Sequence, residues 1–251
     1  DARDGSTYWV RLIPGTNGLG DNSSGDLCWM ETNLAYAGGG DDTYNDTISG
    51  MTLGSTANDN IASGQACYGG LDATDLCYWI PPNANRTSGT TQPSTSTDGG
   101  ATSPQYGYLY SWCTALNGQA PACSSTDATP TNPNVNGSTI YNVCPSGWRL
   151  PTSGGTGNEF VLLNNTINGG IIYNPNSNPP DVGLFAQGLY MYAGNFSNGS
   201  FSNQGSSGYY WGSTNASNGF LGFGLLFSSG AITTPYNNAK GYGQSVRCVA
   251  P

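Results

Sequence analysis

Seven cysteines and no histidine constrain this 251-residue chain more than any other feature. Zinc and redox sites need Cys or His at short regular spacing, and no CxxC pair or Cys/His spacing occurs. Cys28, Cys67, Cys77, Cys113, Cys123, Cys144 and Cys248 are spread along the whole chain. That pattern predicts disulfides, which persist in oxidising places outside the cytoplasm. The missing histidine also removes every Ser-His-Asp and Cys-His arrangement.

Disulfides need a core to staple. Only 36% of residues are hydrophobic and 8% are charged. Disordered chains are usually highly charged and poor in aromatics. This one is 12% aromatic, with 16 Tyr and 6 Trp, so it buries a core around large rings. Its 38 Gly, with abundant Asn and Ser, predict long ordered loops rather than helices. The net charge of -9, with six Lys plus Arg, excludes clustered phosphate binding and anionic membrane surfaces. No signal peptide or membrane span is visible, and removal of a targeting segment is the expectation.

Thr7 to Ile13, "TYWVRLI", is β-branched and aromatic and reads as a first strand. Leu27 to Ala37 is the next apolar stretch. Pro81 to Pro104 has almost no apolar residue and reads as a long surface loop. "YGYLYSWCTALN", Tyr106 to Asn117, is the most helix-capable segment of the first half. Thr156 and Glu159 have capping-box spacing, which predicts a short helix over 157–165. Beyond Ile167 the chain reads as short strands and turns, including "YYWGST", "FLGFGLLFSS", "AITTPY" and "QSVRCVA".

Taken in order, "DARDGSTYWVRLI", "CWMETNLAY", "YGYLYSW", "CPSGWRLPT", "YYWGST" and "GQSVRCV" resemble the Fibrobacter succinogenes major paralogous domain family of bacterial surface proteins. The pieces span Asp1 to Val249, which implies a single domain over 1–251 with a loop insertion at about 81–104. The resemblance implies an α+β, C-type-lectin-like fold: compact, disulfide-stabilised, with few short helices, long loops and the two terminal strands paired. It also implies that Cys144, in "CPSGWRLPT", pairs with Cys248, with Trp148 filling the core and Arg149 finding a carboxylate or carbonyl acceptor. Cys67–Cys77 follows from the family's "CY…C" segment. Proximity adds Cys113–Cys123 and leaves Cys28 as a buried free thiol or a link to another chain.

Candidate chemistry is sparse. The two glutamates are Glu31 and Glu159, and Glu159 reads as a cap, so an enzyme is not expected. Asp41, Asp42 and Asp46 cluster in "GGGDDTYND", and Asp21 and Asp26 in "DNSSGD". Calcium takes several such oxygens, but neither stretch completes an EF-hand, so calcium is a possible rather than a required cofactor. The C-terminal segment collects Asn215, Ser217, Asn218, Phe220, Tyr236, Asn237, Asn238, Lys240, Tyr242 and Gln244. Tyr gives rigid amphipathic contact and Asn and Ser give adaptable hydrogen bonds, as in binding loops. The segment resembles the variable region of retroelement-diversified members of the family.

The expectation is an extracellular or cell-surface recognition module that binds a protein or glycan on another surface, as in adhesion. Pilin-like relatives make display on a filament part of that reading. The rival is a structural subunit of a pilus or sheath that packs against copies of itself. Neither reading involves nucleic acid or direct membrane insertion.

Overall fold

A computed structural model of the chain describes residues 8–19, 23–36, 51–56, 67–69, 76–81, 106–116, 142–145, 147–155, 157–170, 191–216, 220–228 and 231–251. The expected loop insertion, apart from Pro81, lies outside these residues, as do Asp41, Asp42, Asp46, Cys123, Ser217 and Asn218.

The described residues are mainly β-sheet. β1 (Val10–Ile13), β2 (Leu27–Met30) and β12 (Val249–Ala250) form a three-stranded sheet in the order β1-β2-β12. β3 (Thr52–Thr56), β4 (Cys77–Ile80), β5 (Leu109–Tyr110), β8 (Ser207–Asn215), β9 (Leu221–Ser228), β10 (Ile232–Ala239) and β11 (Gln244–Ser245) form a seven-stranded sheet. Its order is β10-β9-β8-β11-β5-β4-β3. β6 (Asn195–Ser197) and β7 (Ser200–Ser202) make a hairpin. Two short helices complete the set, α1 (Trp112–Ala115) and α2 (Glu159–Asn168).

The chain ends meet, but not as direct partners. Trp29 of β2 pairs with Arg11 on one side and Val249 on the other, so β2 lies between the first and last strands. The apolar "LCWM" run suits this central place, because Leu27, Trp29 and Met30 are all buried.

The last residues tie the two sheets together. After β11, Val246 O accepts from Leu34 N–H at 2.9 Å and Cys248 O from Met30 N–H at 3.0 Å. Val249 and Arg149 exchange backbone hydrogen bonds of 2.8 and 2.9 Å. Cys248 is bonded to Cys144 across 104 residues, with Cα atoms 5.8 Å apart. Closing so long a loop stabilises by roughly 4 to 5 kcal/mol. Cys67–Cys77 is the second bond seen directly. Cys113 is also disulfide-bonded, and its expected partner Cys123 is not among the described residues. Cys28 is free and half-buried on β2 rather than sealed in the core.

"CPSGWRLPT" has a structural role. Arg149 is buried and grips the Glu159 carboxylate with two hydrogen bonds of 2.7 Å. The same carboxylate accepts from Thr152 N–H at 2.8 Å and Gly18 N–H at 3.2 Å. A buried ion pair this well satisfied holds its partners in register, though its net contribution to stability is small. Trp148 is only partly buried and packs against the core from its margin.

Two helix expectations need correction. Glu159 is the first residue of α2 rather than the third, so it does not close a capping box, and Thr156, the expected cap, lies outside the described residues. Asn158 caps α2 instead, its side chain accepting from Val161 N–H at 3.0 Å, and the helix runs on to Asn168. Among the described residues of the 106–117 segment, only Trp112–Ala115 is helical. Leu109 and Tyr110 are drawn into the sheet between β4 and β11, so tertiary pairing overrides local helix preference.

Candidate functional site

β8, β9 and β10 form the broad end of the large sheet. Successive strand residues face opposite sides, and directly paired residues share a side. One side carries Tyr210, Leu225, Phe227 and Ile232, which pack with Trp29, Phe160 and Leu163 in one core cluster. The other side is set by three rows: Tyr209–Leu226–Thr233, Trp211–Gly224–Tyr236 and Asn215–Gly222–Asn238.

This second side is covered at one end and open at the other. Trp211 is fully buried, its indole N–H donating to Tyr110 O at 2.8 Å. Trp112 lies on Gly222, where an added Cβ would stand 2.6 Å from the indole. Towards the open end Tyr209, Leu226, Thr233, Tyr236 and Asn238 are half-buried, and Asn237 on the reverse side of β10 is exposed. The rings of Tyr209 and Tyr236 lie 6.0 Å apart, tilted by 59°. Asn203, at the end of the β6–β7 hairpin, donates to Tyr209 Oη at 3.2 Å and to Asn195 Oδ1 at 3.2 Å.

Desolvation raises the Tyr209 hydroxyl pKa above its ordinary value, against the opposing effect of hydrogen bonds from Ser207 and Asn203. Tyr236 is raised by desolvation first, then by Tyr209 and Tyr242. Both phenols therefore stay neutral, able to donate as well as accept, across the ordinary pH range.

Tyr242 sits in the turn between β10 and β11, half-buried, its N–H donating to Ala239 O at 2.9 Å. The turn is held firmly. Gly243 and Phe196 exchange backbone hydrogen bonds of 2.8 and 2.9 Å, and a Cβ at Gly243 would stand 2.6 Å from the Trp79 ring. Trp79 and Phe196 stack beneath it, with centroids 4.8 Å apart.

The expected binding residues therefore separate. Tyr236, Asn237, Asn238 and Tyr242 reach the surface, and Phe220 is 43% exposed at the far end of the β9–β10 pair. Asn215, Lys240 and Gln244 are buried and leave the proposed face. Lys240 Nζ sits 4.6 Å over the Trp112 ring, where a cation–π contact offsets part of the cost of burial. Gln244 lies in β11, an interior strand between β5 and β8. Tyr209 was missed from the sequence. The signal was the Tyr209–Tyr210 pair itself, since neighbouring strand residues cannot both face one core.

Charge is absent from the open end among the described residues. Arg149, Glu159, Lys240, Arg247 and Glu31 are buried, and the two less buried charges, Arg11 and Asp26, belong to the β1–β2 region. Asp26 serves its own turn, accepting from Gly15 N–H at 3.0 Å. Both glutamates face arginines, Glu31 with Arg11 and Glu159 with Arg149. No group of three or more His, Cys, Asp or Glu gathers among the described residues. No helix of the described residues is long and apolar enough to cross a membrane.

No family model, no curated protein and no solved structure matches this chain.

Proposed function

We propose that this chain is an extracellular, surface-displayed recognition module. It binds a protein or glycan ligand through the open end of β8–β10 and the following turn. The observation that carries the reading is a set of half-exposed rings, Tyr209, Tyr236 and Tyr242, on a rigid, buried support. Such rings supply contact area at little entropic cost, and Asn203 and Asn238 on the same side supply adaptable hydrogen bonds. The lack of charge among the described residues of this end favours a ligand surface without strong charge of its own. Disulfides are compatible with an oxidising exterior. Resemblance to the Fibrobacter succinogenes major paralogous domain supports display on a cell or filament surface and a C-type-lectin-like fold. The chemistry of this face requires no cofactor and no catalytic group.

The test is binding of the labelled full chain to a printed array of oligosaccharides and to a panel of purified surface proteins. Tyr236→Ala and Tyr242→Ala should each lose roughly 1 to 3 kcal/mol of affinity for whatever target the parent chain binds. Undiminished binding by both variants would place the ligand elsewhere.

A further inference from the structure

The opposite end of the molecule presents a different surface. β1 has β2 as its only neighbouring strand among the described residues, whereas β12 is bridged to Arg149 on its outer side. Among the described residues β1 is therefore the open edge of the small sheet. Trp9 O accepts from Glu31 N–H at 2.7 Å, and Arg11 and Ile13 pair with Trp29 and Leu27. Antiparallel alternation then turns the backbone N–H and C=O of Val10 and Leu12 away from β2. Three of the five exposed large apolar residues described in the chain lie here: Trp9 at 40%, Val10 at 46% and Leu12 at 58%.

Edge strands are normally guarded by Pro, bulges or charge. β10, one edge of the large sheet, carries exposed Pro235 and a register shift between Thr233 and Tyr236. β1 has neither a proline nor a bulge, and its one charge, Arg11, is paired with Glu31.

We infer that β1 pairs antiparallel with β1 of a second copy, with the two-fold axis at Val10. The strand's own residues select this register. A two-fold at Val10 sets Val10 against Val10, Trp9 against Arg11 and Tyr8 against Leu12 of the second copy. Both cross-strand contacts at Trp9 are then cation–aromatic, and both at Tyr8 are aromatic–aliphatic. A two-fold at Arg11 would oppose two like charges. A two-fold at Leu12 would oppose Val10 with Pro14, which has no N–H to donate. The pairing is isologous and closes at two copies, joining the two three-stranded sheets into one six-stranded sheet. It is independent of the binding face proposed for β8–β10.

Sedimentation equilibrium of the full chain, up to about 100 µM, tests the inference directly. The parent should approach twice the chain mass. Val10→Pro, which removes an outward donor from an edge position, and Leu12→Lys should each shift it to the monomer. Near-UV circular dichroism and retention of the Cys144–Cys248 bond would show both variants folded. The register is read by oxidative cross-linking in a Cys28→Ser background. Directly opposed Val10→Cys residues have Cα atoms about 5.5 Å apart, within disulfide reach, so they should link several-fold faster than Arg11→Cys residues. A parent that stays monomeric, or a dimer indifferent to both edge variants, would overturn the proposal. Faster linking through Arg11→Cys would overturn the register.

Discussion

Between the two sheets, Tyr110 and Tyr210 are fully buried. Each holds a loop with its hydroxyl, accepting from Tyr36 N–H and Met191 N–H and donating to the same residues' carbonyls. On the open end of β8–β10, Tyr209, Tyr236 and Tyr242 are only half-buried. Asparagine divides the same way. Asn33 is buried, accepting from Arg247 Nε at 2.6 Å and donating to Tyr106 O at 2.9 Å, while Asn237 faces solvent. One residue type builds the seam in the first region and stands partly exposed in the second. Location relative to the sheets, rather than residue identity, separates scaffold from face.

If that division is right, damage to the seam should unfold the protein. The largest effect belongs to Cys144→Ser or Cys248→Ser, each expected to cost about 5 kcal/mol. Chemical denaturation or loss of secreted yield reads this out, and peptide mapping of the unreduced protein checks the pairing.

Glu159→Ala comes next. It leaves Arg149 charged and buried with two hydrogen bonds lost, at a cost of about 3 to 5 kcal/mol. The contrast sharpens with Arg149→Met/Glu159→Leu, which removes both charges and should lose distinctly less than the single variant. Equal losses would mean that packing, rather than charge, sets the cost.

Two tyrosines of the face give it a pH response of stated sign. Tyr209 and Tyr236 have raised folded-state pKa values, so their neutral forms are favoured in the folded protein. Their contribution is fully present below the unfolded value of about 10 and is lost as pH rises through the folded values. Stability measured against pH should therefore show no effect of these tyrosines from about pH 6 to 9. Above about pH 10 it should fall less steeply in a Tyr209→Phe/Tyr236→Phe variant. The smallest effect is Cys28→Ser, expected within about 0.5 kcal/mol because the thiol is only half-buried and has no disulfide partner.

The seam was the more legible region. Cys144–Cys248 and Cys67–Cys77 pair as expected, and "YYWGST", "FLGFGLLFSS" and "AITTPY" fall on β8, β9 and β10. Alternation and turn residues suffice to mark strands of that length. The order of strands was not legible. Nothing local in "LCWM" says that β2 separates the two chain ends, because that depends on how far-apart segments pack.

The face was legible only in part. Lys240 stands among Asn, Ala, Gly and Tyr and reads as a solvated cation, yet Trp112, from a helix more than a hundred residues earlier, covers it. Asn215 and Gln244 are buried by strand order that no single segment encodes. Asp41, Asp42 and Asp46 lie outside the described residues.

The central claim is that rings on the open end bind while rings in the seam hold the fold. Thermal melting beside binding for Tyr236→Ala, Tyr242→Ala and Trp211→Ala tests it most directly. The account predicts that both tyrosine variants melt like the parent and lose about ten-fold or more in affinity, within the roughly 1 to 3 kcal/mol of an anchor residue. Trp211→Ala should instead lose about 3 to 5 kcal/mol of stability. Tyrosine variants that melt as early as Trp211→Ala would contradict the account, because those rings would then belong to the core.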